Sequence, residues 1–263
     1  KPRVSAVASS WILRFDPKPQ ADLSLFCFPH AGVGASCYRA WPALLPPEVE
    51  LCAVQPPGRE GRLREPAFRS VLELAEAAAA ALEPYFDRPF AFFGHSMGAL
   101  VAFELARQLR SGGRTGPRWL FASGRRGPRV PDRDPPISHL PDAEFVAAIR
   151  RRYDGIPDQV LEHRELLELL LPGLRVDIAA LETYVYRPGE PLDCPLTVFG
   201  GVADATTRED LDAWRAETRG AFELEMFPGG HFFVQDARPQ VVERVVATLR
   251  GVLAANAGAW SGG

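Results

Sequence analysis

Short, almost wholly apolar runs recur along the chain at positions 11–15, 23–28, 50–54, 89–93, 119–123, 196–199 and 222–227. Each is too short for a buried helix. Each predicts a strand covered on both faces, the usual state of a parallel strand. Between them, apolar residues fall at helical spacing over 71–86, 98–110, 209–218 and 241–253. Strand and helix signals that alternate in this way predict an α/β fold, with a mainly parallel sheet and helices on both faces. One region breaks the alternation. From about 128 to 187 there is no strand signal, and Pro128, Pro131, Pro135 and Pro136 mark an irregular entry. Three helices are predicted there, at 142–153, 157–170 and 174–186, separated by Gly155-Ile156-Pro157 and by Pro172-Gly173. Pro141-Asp142-Ala143-Glu144 reads as a helix start with acids in its first turn.

The apolar run at 89–93 ends in Gly94-His95-Ser96-Met97-Gly98, and a helix-forming stretch follows at once. This is the G-x-S-x-G pattern in the strand–turn–helix setting it requires. Glycines at 94 and 98 permit a turn too sharp for a Cβ, and Ser96 is expected at its tip, over a helix N-terminus that favours negative charge. A serine hydroxyl becomes a useful nucleophile only beside a base. Of five histidines, His231 in Pro228-Gly229-Gly230-His231 directly follows the last strand signal. His95 is expected to point away from the serine tip, and His139 and His163 fall in or near the helical region. Asp204 is the expected acid, in the loop after the 196–199 strand. Asp193 precedes that strand, and Asp210 and Asp212 read as surface charges of the next helix.

Ser96, Asp204 and His231 follow the chain order of an α/β-hydrolase fold, whose oxyanion hole uses the amide after the nucleophile and one from an early loop. Here these are Met97 and, in Phe28-Pro29-His30-Ala31-Gly32-Val33-Gly34-Ala35, Ala31. That loop has neither the Gly-Lys-Ser/Thr of a phosphate-binding loop nor G-x-G-x-x-G. His30 is expected to shape the loop, and His30 and Phe232 are expected to contact substrate. In this fold the helical region takes the place of a mobile lid. The expected division is a disordered or tag-derived tail at 1–10, a core at 11–127 and 188–255, a lid at 128–187 and a flexible tail at 256–263.

Composition narrows the alternatives. A net charge of −3 and 46% hydrophobic residues describe an ordinary globular chain, with nothing that suggests nucleic-acid or membrane-surface binding. No apolar run approaches the roughly 18–20 residues of a membrane span. The stretch after Lys1 lacks the pattern of a signal peptide. Cys27, Cys37, Cys52 and Cys194 match neither a zinc site nor a C-x-x-C pair, and are expected to be reduced thiols in the cytoplasm. No metal is expected.

The chain resembles the type II, free-standing editing thioesterases of polyketide and non-ribosomal peptide biosynthesis. The resemblance runs from about 23 to 234. It rests on Phe28-Pro29-His30-Ala31-Gly32, Pro57-Gly58-Arg59-Glu60, Phe93-Gly94-His95-Ser96-Met97-Gly98-Ala99, Leu171-Pro172 with Arg175-Val176-Asp177, Tyr184-Val185-Tyr186, and Pro228-Gly229-Gly230-His231-Phe232-Phe233. Val33 stands where the family usually has a second glycine, and Thr207 where it often has an apolar residue. The resemblance implies a serine thioesterase that needs no cofactor, because its substrate carries phosphopantetheine. It implies acyl or peptidyl carrier protein domains as partners, hydrolysis of aberrant or stalled acyl groups, and a monomer. A carboxylesterase or acyltransferase on the same fold is one alternative, and a catalytically dead binding scaffold is another. Arg125, Arg126, Arg129, Arg133, Arg150, Arg151 and Arg152 suggest a docking face for an acidic carrier; otherwise they are a solvated face paired with Asp132, Asp134 and Glu144.

Overall fold

The computed structural model describes residues 10–153 and 163–260, with 255–260 as backbone alone. Seven strands form one sheet: β1 (Ile12–Leu13), β2 (Leu23–Phe28), β3 (Val49–Val54), β4 (Phe90–His95), β5 (Leu120–Ser123), β6 (Leu196–Gly201) and β7 (Phe222–Phe227). Their order is β1-β3-β2-β4-β5-β6-β7. Every pair is parallel except β1, which runs antiparallel to β3. This is the α/β-hydrolase arrangement. β4 lies between β2 and β5, so whatever follows β4 stands at the middle of the sheet's carboxyl edge.

Side-chain alternation along the strands builds two cores. Phe26, Phe28, Phe90 and Phe92 share one apolar cluster with α1 (Val71–Leu82) and α2 (Met97–Ser111). Leu25, Cys27, Ala91 and Phe93 face the other way. They join Tyr38, Trp41 and the Val241, Val242, Val245 and Leu249 stripe of the last helix. All six residues of β2, β3 and β4 are buried, which is why these segments read as mainly apolar runs, interrupted only by Ser24, Glu50 and His95. Burying each large side chain contributes about 1.5–3 kcal/mol.

Between β5 and β6 come α3 (Asp142–Tyr153) and α4 (Arg164–Glu182). The predicted break at Pro172-Gly173 does not occur, because α4 runs straight through Pro172. A proline removes one ladder bond, but buried Leu171, Ile178 and Leu181 hold both sides of it against the core. The part of the predicted 157–170 helix before 163 lies outside the described residues. Tyr184 and Tyr186 tie the end of this excursion down: Tyr184 donates to Glu104 on α2 at 2.7 Å and Tyr186 to Glu217 at 3.1 Å. After β6 come α5 (Arg208–Asp212), α6 (Phe233–Asp236) and α7 (Arg238–Trp260). α7 is assigned to Trp260, and Val252 and Leu253 pack on the core.

Several of the grouped arginines have acidic or carbonyl partners. Arg129 pairs with buried Glu217 at 2.6 Å, Arg133 with buried Asp210 at 2.8 Å and Arg126 with Asp132 at 3.3 Å. Arg152 donates to the Pro135 carbonyl, and burial lowers the pKa of Arg125. Two of these arginines, Arg129 and Arg133, therefore tie the 125–135 segment to buried acids of the core. Asp210 is also not the surface charge expected of it. It is buried and forms a capping box with Thr207 at the start of α5.

Candidate active site

β4 delivers the chain into a turn that only glycine can line. A Cβ on Gly94 would lie 2.1 Å from the Gly98 carbonyl oxygen, and one on Gly98 2.1 Å from that of Phe28. Between them Ser96 sits at φ 54°, ψ −115°, a strained conformation for a residue with a side chain. Its own N–H donates to the Ser123 carbonyl at 2.8 Å, which fastens the turn to β5. α2 begins at Met97, so Ser96 stands at a helix N-terminus.

Two loops bring the other predicted groups together. The Val202 N–H donates to the Phe227 carbonyl and the Ala203 N–H to the Gly229 carbonyl, both at 2.9 Å, so the loops after β6 and β7 are zipped side by side. Asp204 and His231 meet there, with Nδ1 to Oδ2 at 2.9 Å and both side chains nearly excluded from solvent. The other Asp204 oxygen accepts the Thr206 N–H at 3.2 Å, which sets the angle of the carboxylate. Opposite an acceptor-only carboxylate, Nδ1 carries the proton, which leaves Nε2 as the basic nitrogen. Asp193 is exposed and pairs with Arg110 and Arg219, away from His231.

Ser96, His231, Ala31, His30 and Phe232 line one inner cavity of about 30 Å³, roofed by Ile149 and Tyr153 of α3 and by Leu174, Ile178 and Leu181 of α4. A groove of about 640 Å³ reaches the same place from outside, between the 30–37 loop, Arg59 and Glu60, the α4 residues Leu169, Leu170 and Gly173, and His231. His30, Tyr153, His231 and Phe232 border both spaces. His95 faces β5, with Nδ1 3.0 Å from the Ser123 hydroxyl. His139 and His163 border neither space. The Tyr153 ring, 4.9 Å from that of His231, was not singled out from sequence. It lies at the end of a predicted helix, and nothing in the local pattern distinguishes it from core packing.

His30 packs its ring against Phe232 at 5.0 Å and His95 at 5.9 Å, and its Nδ1 lies 3.1 Å from the Ala31 carbonyl. Burial pushes its pKa down to about 4. His95 is pushed down as well, first by burial and then by the neighbouring histidines. The unfolded chain takes up these protons near pH 6.5, whereas the folded protein resists. Stability is thus fully present above about pH 6.5 and is lost as pH falls toward 4, by up to about 3 kcal/mol for His30. Urea melts at pH 7.0 and 4.5 should show a smaller acid loss in His30→Gln than in wild type. An equal loss would remove His30 from this account.

The thioesterase-domain family model matches residues 24–249. Gramicidin S biosynthesis protein GrsT of Aneurinibacillus migulanus is 40% identical over 247 residues, covering 94% of this chain and 96% of its own. Thioesterase PikA5 of Streptomyces venezuelae is 44% identical over 229 residues, covering 86% and 80%. The solved structure of the type II thioesterase BorB from the borrelidin biosynthetic cluster superposes with a TM-score of 0.83 at 38% identity, covering 90% of this chain and 96% of that one. With its elbow, its buried histidine–carboxylate pair and these relatives, the chain belongs to the thioesterase family and is a thioester hydrolase of the α/β-hydrolase fold.

Proposed function

We propose that the protein is a type II editing thioesterase, and that it hydrolyses acyl groups from the phosphopantetheine arm of carrier proteins in a polyketide or peptide assembly line, in the cytoplasm. The observation that carries the reading is the convergence of Ser96 and His231, with its partner Asp204, on one cavity beneath α3 and α4. The names of GrsT, a gramicidin S biosynthesis protein, and BorB, a type II thioesterase of the borrelidin biosynthetic cluster, support that substrate class.

Ser96 Oγ attacks the thioester carbonyl carbon while His231 Nε2 takes its proton. The carbonyl π pair moves to oxygen, where the Ala31 and Met97 amides stabilise the charge. The tetrahedral intermediate collapses by expelling the pantetheine thiolate, which the His231 imidazolium protonates. Water, deprotonated by His231, then attacks the acyl-serine and releases the acid and free Ser96. Asp204 stays ionised throughout and steadies the imidazolium. A thioester is already activated, so the residues alone suffice and no cofactor is called for. The groove of about 640 Å³ takes the pantetheine arm, and the acyl group lies at its inner end, where the cavity of about 30 Å³ beneath α3 and α4 must widen to admit it. His30 and Phe232, which border both, are in place to contact the thioester at their junction.

The test is kcat/KM for one acyl group presented on a carrier protein, on coenzyme A and as a simple ester. The carrier-bound form should be hydrolysed fastest. A faster simple ester would favour a carboxylesterase, transfer to a second thiol or alcohol an acyltransferase, and no turnover of any form a binding scaffold.

A further inference from the structure

Two of the sequence motifs have no part in the chemistry above: Pro57-Gly58-Arg59-Glu60, before α1, and Arg175-Val176-Asp177, on α4. They meet on the loop that carries Ala31. Asp177 is buried, and its Oδ2 accepts the Gly32 N–H at 2.8 Å and Arg59 Nε at 3.2 Å. The Arg59 guanidinium also pairs with Asp177 Oδ1, and donates to the Gly173 carbonyl at 2.7 Å and the Gly58 carbonyl at 2.7 Å. One turn before Asp177, Leu174 covers Gly32. Gly32 sits at φ +82°, and a Cβ there would lie 2.8 Å from Leu174 Cδ1.

The Gly32 N–H and the Ala31 C=O belong to one rigid peptide plane. His30 Nδ1 holds that plane at the oxygen, 3.1 Å away, and Asp177 holds it at the nitrogen. The direction of the Ala31 N–H depends on how this plane is set. The rest of the loop is held from the core side: Gln55 accepts the Ala35 N–H at 2.9 Å and Glu60 the Ser36 N–H at 3.2 Å. Among the described residues, Asp177 is the loop's one side-chain acceptor supplied by the lid.

We propose that Asp177 is a positioning residue for the oxyanion hole: with Arg59 it locks the Ala31–Gly32 peptide to the lid helix, so the hole is complete only while this part of α4 is seated. This rests on the assignment of Ala31 as an oxyanion donor. It also changes the picture of the lid. The Gly173–Asp177 turn is a fixed anchor, and any opening must take place elsewhere or dismantle the hole.

A pair buried this deeply makes single replacements costly to the fold, because they leave one charge unpaired. The informative variant is therefore the double replacement Arg59→Met/Asp177→Leu. It removes both charges at similar volume, a change that cores often tolerate, and leaves the Gly32 N–H without its acceptor. Asp177→Asn, isosteric and with an oxygen still available to Gly32, is the conservative companion. Measured on an acyl-pantetheine thioester, the double variant should lose about 10²-fold in kcat, with KM within about twofold, as a misplaced donor does. Asp177→Asn should lose about tenfold, partly rescuing the double variant.

Binding of two inhibitors separates positioning from damage to the fold. A trifluoromethyl ketone analogue of acyl-pantetheine, which forms an oxyanion on Ser96, should weaken in parallel with kcat. The matching thioether, which forms none, should not. A rise in KM at unchanged kcat, or equal weakening of both inhibitors, would overturn the proposal, as would wild-type kcat in the double variant. If the ketone binds wild type no better than the thioether does, the oxyanion assignment itself fails and the proposal falls with it. If the double variant does not fold, Asp177→Asn decides alone by the same comparison.

Discussion

Ser96→Ala is expected to lower kcat by about 10⁴–10⁶, the usual cost of removing the nucleophile from a unit of this kind. The replacement removes only Oγ. The backbone at φ 54° is held by the Ser123 carbonyl and the flanking glycines, not by the side chain. The fold should therefore be retained, and the melting temperature should stay within a few degrees of wild type. The variant should still bind an acyl-pantetheine thioether as wild type does, because groove and cavity are lined chiefly by other residues. A fluorophosphonate probe should label wild type and leave Ser96→Ala unlabelled. Turnover within about tenfold of wild type would mean that another group carries the chemistry.

Asp204→Asn is expected to cost about 10⁴ in kcat with little change in fold. An asparagine can present its NH₂ to His231 Nδ1. That would force the proton onto Nε2, the nitrogen that must be free to accept from Ser96. Two other aspartates provide the comparison. Asp193 is exposed and paired with arginines, so Asp193→Asn should be near wild type in both rate and stability. Asp210 is buried, pairs with Arg133 and caps α5, so Asp210→Asn should lower the melting temperature while sparing kcat. Parallel kcat and thermal-melt measurements on the three variants check this. A dead Asp210→Asn beside an active Asp204→Asn would reverse the choice of acid.

The legibility of the fold in the sequence follows from burial. The expected bounds match those of β2, and of β3 to β6 within two residues at each end, because strands covered on both faces leave mainly apolar runs. β7 also matches, although it is a partly exposed edge strand whose Glu223 and Glu225 alternate with apolar residues. β1 shrinks to two residues because it is an edge strand paired on one side only, to β3, and Leu13 is exposed, so its pattern has no sharp limit. Pro172 misled the reading of α4. Local helix rules count the lost bond but not the packing of Leu171, Ile178 and Leu181, which comes from residues far away in sequence. The elbow, Asp204 and His231 were legible because each follows a strand end, and a parallel sheet sends all its carboxyl ends to one edge. The Arg59–Asp177 contact was not legible. The two residues are 118 apart in sequence, and nothing in either local pattern says that they meet. Of the nearby partners considered for the arginine group, Asp132 pairs with Arg126, whereas Glu217 and Asp210, which pair with Arg129 and Arg133, lie too far along the chain to be read from the local pattern.

The most direct test of the central claim is a rapid-quench single turnover on an acylated carrier protein, followed by intact and peptide mass spectrometry. The account predicts that the acyl mass leaves the carrier, appears on the peptide containing Ser96, and disappears from it as free acid accumulates. In Asp204→Asn both steps should be slowed, and in Ser96→Ala the carrier should stay loaded. Free acid formed at the full wild-type rate with no acyl group ever on Ser96, or a carrier left intact while a simple ester is consumed, would contradict it.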